Sequence, residues 1–551
     1  MAPFEAKAKA PYDIAEWSSW FEGERGQEKH GLIYRELINS LGARYVSDDP
    51  AVAEAYAREK QTPLLQSKGR AEFVVLPGNA NDVQQLIKLA NRYKFPFSVS
   101  SSGMSGSCFA AQGIPYWCQV DLKRMDKFEI DEKNMYAVVE PYVTNGQLQI
   151  EAMKRGLYVP TISAGGASSI MANHLMFGIA NTAYRTGYNS KNILGVEMVL
   201  PNGEILRTGS LAVPGAGYFW GEGPGPDLRA LVRGLVGHQA SLGVVTKIAV
   251  KLFPWPGPRE IPVEGIVPDI KVTLPEDSFK WYFFSYATLE KSLDAMRKIG
   301  ESEIGGAMMR VSLLQVNTYC QRSREEFWQN YAEGYWDKIL NNDDNLVMVG
   351  LWGYASPQQV EYESKVIEQI ISETGGRMVP NKVYPRLVQS LGMDSIMVNS
   401  AKKGHVVGFG GTLPYSQIQT LGDVLRARDF LMGMKEKYSD MLIDWPPSIW
   451  VMPFDFCHLA CTELYTVGAE RGEASELRVM PAMMDMVGRL MQDKVLCLIS
   501  AMIPMNITGS AFANTHLISA HIKEALDPNY LANPTRFIDM VEMEKGKTGK
   551  R

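Results

Sequence analysis

From residue 72 onward the chain alternates short apolar runs with longer stretches in which apolar positions recur every three or four residues. The first half predicts strands at 72–76 and 95–99 around a helix at 82–93, then a helix at 145–155. Strands at 193–200 and 204–206 follow, turned at Asn202-Gly203, which is a hairpin signal. A helix at 228–239 and a strand at 242–252 complete this half, and Pro254-Trp-Pro-Gly-Pro258 breaks it. From about residue 267 the period changes more regularly: strand 281–286, helix 289–299, strand 307–314, helix 324–340, strand 345–352, helix 357–374. A second set has a helix at 416–438, strands near 448–451 and 457–465, a helix at 474–492 and a strand at 495–499. Antiparallel strands backed by helices make this half a layered α+β unit.

Two stretches interrupt the pattern with small residues. Ser98-Val-Ser-Ser-Ser-Gly-Met-Ser-Gly-Ser107 follows a predicted strand, and Ser163-Ala-Gly-Gly-Ala-Ser-Ser169 follows a predicted helix. Glycines and hydroxyls there allow sharp bends that aim several N–H groups at one point, which suits an anionic ligand such as a pyrophosphate. One such loop is a common connector; two in order point to a cofactor-binding module. Residues 208–227 are Gly- and Pro-rich without periodicity and predict a surface excursion. Residues 11–44, with Trp17, Trp20 and Phe21, predict a peripheral helical segment, and residues 545–551 a solvated tail.

A chain of 551 residues exceeds one compact core and predicts two or more domains. With 46% hydrophobic and 21% charged residues it has the make-up of a soluble globular protein. Its 56 basic and 61 acidic residues leave a charge of −5, which gives no field favouring nucleic acid or a membrane surface. The charged N-terminus lacks the apolar run of a secretory signal, and no apolar stretch reaches spanning length, so the expected location is cytoplasmic. Six cysteines without Cys-x-x-Cys spacing argue against an iron–sulfur centre or a disulfide framework. No metal site is expected. The fingerprints of nicotinamide binding on a doubly wound sheet, P-loop phosphoryl transfer, zincin proteolysis and nucleophile-elbow acyl transfer are missing from the sequence.

The segments "VLPGNANDVQQLIKLAN", "PFSVSSSGMSGS", "VDLKRMDKFEID", "AVVEPYVTNGQL", "GGASSIMANHLMFG", "VEMVLPNGEILRTG" and "ASLGVVTKIAVKLFP" occur in this order, followed by "GHVVGFGG" and "LDPNYLANP". The set resembles the vanillyl-alcohol oxidase/p-cresol methylhydroxylase (FAD-binding type 4) flavoprotein superfamily, and the resemblance runs from about residue 45 to 534. It implies an α+β fold with a two-part FAD-binding domain at 45–266 and an antiparallel-sheet cap at 267–500. A peripheral segment at 1–44 precedes them, and residues 501–551 return to the FAD domain. It also implies a small-molecule substrate, an electron acceptor (oxygen or an electron-transfer protein) and assembly into homo- or hetero-oligomers.

Under the resemblance the diphosphate falls to Ser101, Ser102, Gly103, Met104, Ser105 and Gly106, with Gly165, Gly166, Ser169 and Asn173 from the second loop. Gly243, Val244 and Val245 line the ring or ribitol side. The bland alternative for each is a loop residue that only permits a turn. His405 falls where some members attach the flavin to a histidine, but the residues after it depart from the family's apolar-Ser-Pro pattern, so dissociable FAD is preferred to a covalent bond. His174 and His458, the latter on a cap strand expected to face the flavin, are candidate bases or donors, with a satisfied core histidine as the alternative. Tyr184 and Tyr188 occupy a segment that lines the substrate cavity in the superfamily.

Positions that hold a phenolate in the phenol-oxidising members are apolar or hydroxyl-bearing here, and Met502 and Met505 are candidate pocket residues. The expected reaction takes a hydride from an allylic, benzylic or carbinol carbon of a mainly apolar molecule. A 2-hydroxy-acid dehydrogenase, with Arg310 or Lys402 on the substrate carboxylate, and a non-catalytic FAD-binding subunit are the alternatives.

Overall fold

The computed structural model describes residues 23–57, 69–103, 114, 116–161, 165–176, 178–216, 225–234, 237–266, 269–396, 410–412, 415–439, 448–464, 467–468, 485, 488–489, 492, 505–509, 513–540 and 543. The fold is α+β, with a four-stranded and a five-stranded sheet in the first half and a seven-stranded sheet in the second, beside three two-stranded ladders among the described residues.

The first sheet orders its strands Val46–Ser47, Arg70–Val75, Tyr116–Asp121 and Phe97–Ser100, with the last three parallel. The connection between Arg70–Val75 and Phe97–Ser100 is the helix Ala80–Tyr93, which Asn79 caps by accepting from the Asp82 N–H. Val83, Leu86, Ile87 and Ala90 form its buried stripe. Ile33 and Leu37 of the helix Gly23–Leu41 are buried in the same core, so the described part of the N-terminal segment is helical as expected.

The second sheet is antiparallel, in the order Phe128–Asp131, Tyr136–Val139, Val244–Lys251, Ile193–Val199, Ile205–Gly209. The predicted hairpin joins the last two, and Gly203 takes the left-handed φ of 86° that this turn requires.

Seven antiparallel strands form the third sheet: Arg377–Met378, Phe279–Tyr286, Asn345–Trp352, Ala307–Val311, Ile449–Phe454, Leu459–Leu464 and Tyr415–Gln419. Its central strands are buried throughout because both faces are covered. Tyr282, Phe284, Met308 and Val347 pack under the helices Leu289–Glu301 and Pro357–Thr374. Trp281, Phe283, Met309, Met348, Trp450 and Met452 point the other way, into a core shared with Tyr158, Ala183, Tyr188 and Trp255 from the first half.

Several predicted boundaries give way to local chemistry. The helix expected at 324–340 is two helices, Arg324–Glu333 and Tyr335–Ile339, parted where Gly334 turns left-handed at φ 58°. The strand expected at 307–314 ends at Val311, because Ser312 and Gln315 form a capping box for the helix Leu313–Cys320. The helix expected at 416–438 begins as the strand Tyr415–Gln419, paired with Leu459–Leu464, and turns helical only at Asp423–Glu436. The helix expected at 228–239 reduces to the single turn Leu228–Leu231. The strand expected at 457–465 starts at Leu459, after a turn in which Asp455, Phe456 and Cys457 all have positive φ. The helix at 474–492 and the strand at 495–499 lie almost wholly outside the described residues.

After the helix Thr515–Leu526 the chain runs back along the first sheet. Phe97 N–H donates to Leu531 O at 2.9 Å and Asn533 N–H to Phe97 O at 2.8 Å. No helix among the described residues is long and apolar enough to cross a membrane, and no group of three metal-ligating side chains occurs among them.

Candidate cofactor site

The first small-residue loop leaves the strand Phe97–Ser100. Ser100 Oγ accepts from Gln119 Nε2 at 3.2 Å, and Gly103 takes a φ of 67°. The second is pressed against the start of the helix Asn145–Met153, where Gly146 N–H donates to Gly166 O at 2.8 Å. A Cβ on Gly146 would stand 3.2 Å from that oxygen, so the close approach depends on the glycine. Ser169 ends this loop: its Oγ donates to Pro141 O and accepts from Ala172 N–H, which caps the helix Ile170–Met176. Its N–H donates to Ser102 Oγ at 3.0 Å. The two loops, 67 residues apart in the chain, therefore meet.

A cavity of about 130 Å³ opens beside this junction, lined by Ser100, Ser101, Ser169 and Ala172 on one side and by Gln239, Val244 and Val245 on the other. It takes a section of a dinucleotide rather than the whole. None of the described residues lining it is a carboxylate, so it carries no charge that would repel a phosphate. Among the described residues Gln239 Nε2 has no partner for its buried N–H, and Asn173 Oδ1, outside the cavity lining, is a buried acceptor in the same condition. Unpaired buried polar atoms are costly, and a ligand in the cavity that accepts from Gln239 relieves that cost. Gly243 itself serves the backbone: at φ 128° a Cβ would lie 2.5 Å from Val199 O, so the strand Val244–Lys251 could not begin there with any larger residue.

Each expected residue has a definite place or lies outside the described set. Met104, Ser105, Gly106 and His405 lie outside it, as do Lys402 and Met502. His174 is fully buried on the helix Ile170–Met176, and burial lowers its pKa to about 4. Nδ1 lies 2.9 Å from Ile170 O, an atom that only accepts, so Nδ1 carries the proton and the unpartnered Nε2 is a buried acceptor.

One placement corrects an expectation and two others are accounted for by packing. His458 is exposed at the end of the 455–458 turn rather than on a strand facing a flavin; the turn docks on Gly300, where a Cβ would meet Phe456 O at 2.5 Å. Tyr184 is fully buried: its hydroxyl donates to Ile304 O at 2.7 Å and its ring meets Phe456 edge-on at 5.2 Å, making it a strut between the second half and the segment after the second loop. Met505 packs with Phe537 and Tyr530 of the C-terminal segment, away from the large sheet.

Arg310 is buried on the helix-covered face of that sheet, donating to Asp344 O and Asn345 Oδ1 at 2.6 Å and to Ile449 O. Burial pulls its pKa down to about 10, so it stays charged at neutral pH but is already engaged.

Sequence reading missed His238, Gln239 and Ala240, which line the cavity, and Asn533, which joins them from the C-terminal segment. The signal for Asn533 lay in "LDPNYLANP"; His238 and Gln239 were hidden at the end of the helix expected at 228–239, and Ala240 directly follows it.

Residues 71–209 match the family model described as a FAD binding domain. A FAD-linked oxidoreductase of uncharacterised role from Mycobacterium tuberculosis is 30% identical over 206 residues, 37% of this chain and 42% of that protein. The 4-cresol dehydrogenase (hydroxylating) flavoprotein subunit of Pseudomonas putida is 27% identical over 334 residues, 58% of each chain. The match thus covers less than two thirds of either relative's length. Over 93% of this chain and 98% of the other, the fold superposes on p-cresol methylhydroxylase with substrate bound, at a TM-score of 0.73 and 18% identity. The meeting of the two loops, the matched domain and the shared architecture agree: the chain carries the FAD-binding domain and the fold of the vanillyl-alcohol oxidase/p-cresol methylhydroxylase flavoproteins.

Proposed function

We propose that the protein is a FAD-dependent oxidoreductase that takes a hydride from an allylic, benzylic or carbinol carbon of a mainly apolar small molecule. The observation that carries this reading is the junction of Ser102 Oγ with Ser169 N–H at the edge of a carboxylate-free cavity. FAD bound there supplies the two-electron acceptor, and the protein supplies grip, orientation and exclusion of water. Ser101, Ser102, Gly103, Gly165, Gly166 and Ser169 hold the diphosphate bridge, with Met104, Ser105 and Gly106 continuing the first loop. Asn173 Oδ1 and His174 Nε2, buried acceptors without a donor among the described residues, lie behind the cavity lining and would accept from a cofactor group that reaches them. Val244 and Val245 give the cavity an apolar wall.

Residues 45–266 act as the FAD-binding part and 267–500 as the cap. The aromatic and methionine side chains where the two meet favour an apolar substrate. A 2-hydroxy acid would need a cation for its carboxylate; of the two candidates Arg310 is committed to the cap sheet, and Lys402 lies outside the described residues. The electron acceptor is oxygen or an electron-transfer protein, and assembly with further subunits accords with the resemblance to a flavoprotein subunit.

Purified protein should absorb near roughly 370 and 450 nm as oxidised flavin does. Acid precipitation should leave the colour in solution if the cofactor is dissociable. Anaerobic bleaching by aryl or terpenoid alcohols, and not by 2-hydroxy acids, is the expected substrate result. Bound flavin that no reductant of either class bleaches would make the chain a non-catalytic subunit and overturn the proposal.

A further inference from the structure

The turn at residues 238–241 has an unusual backbone for the side chains it carries. Gln239 and Ala240 are consecutive non-glycine residues at φ 48° and 58°. Left-handed conformations are unfavourable for such residues and persist only where the surroundings over-determine them. Ser241 N–H closes the turn on His238 O at 2.8 Å, and three residues almost 300 positions later in the chain hold it from outside. Lys523 Nζ, fully buried, donates to Ser241 O at 2.5 Å, to Ala532 O at 2.6 Å and to Asp527 Oδ2 at 2.7 Å. Asn533 Nδ2 donates to Gln239 O at 2.6 Å, and Ser241 Oγ donates to Arg536 O at 3.2 Å. The carbonyl between the two strained residues and that of Ser241, just after them, are therefore both held from outside.

The held turn gains no partner for Gln239 Nε2, which stays unpaired at the cavity edge. A turn that served only to pack would not keep a buried donor open at a cavity wall while holding two residues in a disfavoured conformation. Asp527 ties the same lysine to the local turn, accepting from Leu531 and Ala532 N–H at 3.1 and 2.9 Å. The cation is thus neutralised and fully engaged without the ligand.

We propose that Lys523 and Asn533 are positioning residues for the cofactor: they clamp the 238–241 turn in its left-handed form so that Gln239 donates from the cavity wall to the nucleotide part of FAD. This rests on the FAD reading and deepens it, because it makes cofactor retention depend on the C-terminal segment. The clamp contributes by preorganisation: an apparent dissociation constant rises in inverse proportion to the fraction of molecules holding the competent turn.

The test is FAD titration of the full-length apoprotein, followed by fluorescence, for wild type, Lys523→Met, Asn533→Ala, and each of these combined with Ala240→Gly, with urea unfolding measured for every variant. The expected result is an FAD affinity about tenfold weaker in either single variant. Most of the loss should return when Ala240→Gly removes the conformational penalty at that position, an effect that a general loss of stability would not show. Should Lys523→Met fail to fold, Asn533→Ala decides on the same criterion. An unchanged FAD affinity in a folded clamp variant, or a double variant that binds no better than its parent, overturns the clamp while leaving the FAD reading intact. Wild-type protein that takes up no FAD overturns both.

Discussion

The strand Phe279–Tyr286 and the turn at 238–241 are held by different kinds of force. Along the strand, Trp281 and Phe283 fill one core while Tyr282 and Phe284 fill another, and the ladder to Asn345–Trp352 runs unbroken for its full length. Hydrophobic burial and repeated backbone pairing hold it, and no left-handed residue is required within it. The turn at 238–241 carries no large apolar side chain, has two left-handed non-glycine residues, and relies on polar contacts, several of them from a remote segment. The cap sheet is held chiefly by apolar packing, and Trp352 Nε1, Trp450 Nε1 and Arg310 Nε on its strands, unpartnered among the described residues, are shut inside that packing. At the cofactor wall the unpartnered Gln239 Nε2 stands at a cavity, where a ligand can reach it. Structure and function draw on different residues, and substitutions should separate them.

The largest expected effect is on the packed side. Phe283→Ala removes a fully buried ring and should cost about 3–5 kcal/mol in urea unfolding. A loss under about 1 kcal/mol would show that the sheet is not held by its core.

Acid should next find the cofactor half. His174 and His238 are buried, and burial lowers their pKa values to about 4 and 3, with the Lys523 charge adding to the shift at His238. Both are neutral in the folded protein at neutral pH and bind a proton more readily once unfolded, near pH 6.5. Stability is therefore unaffected above about pH 6.5 and falls as the pH drops toward 4 and 3, by roughly 1.4 kcal/mol per pH unit for each histidine. Urea midpoints measured from pH 7 to 4 should fall accordingly and fall less steeply in His174→Leu; an equal slope in the variant would contradict a buried neutral His174.

A smaller effect is expected at the edge of the cavity. Gly243→Ala forces a side chain into a φ of 128° and a Cβ within 2.5 Å of Val199 O, at a cost on the order of 1–3 kcal/mol. Since Val244 and Val245 follow directly, FAD affinity should fall with stability.

Gln239→Ala sharpens the contrast most with the least change. It deletes an unpaired buried donor, so the apoprotein should be as stable as wild type or slightly more so. FAD should bind about three- to tenfold less tightly, the worth of one hydrogen bond. Equal loss in both measurements would mean that Gln239 is structural.

The cap was legible in the sequence wherever period decided the outcome. The strand at 345–352 and the helix at 357–374 have their expected bounds because a continuous apolar run and a capped amphipathic stretch leave no competing solution. It was illegible where one residue's backbone preference cut across the pattern, as at Gly334 and at the capping box of Ser312.

For the candidate site, the glycine-serine loops announced themselves by composition, and the structure brings Ser102 and Ser169 together. The turn at Gln239-Ala240 could not be read, since the contacts that fix its carbonyls come from Lys523 and Asn533 at the far end of the chain, in addition to its own Ser241 N–H to His238 O bond. Likewise Tyr184 and His458 are placed by the sharp 455–458 turn, whose three left-handed residues break the alternation that suggested a strand.

The most direct measurement is calorimetric titration of the full-length apoprotein with FAD and, separately, with FMN. Walls built around the two joined loops and the clamped turn predict one FAD bound per chain and far weaker binding of FMN, which lacks the adenosine and the second phosphate. No uptake of FAD, or FMN bound as tightly, would contradict the account.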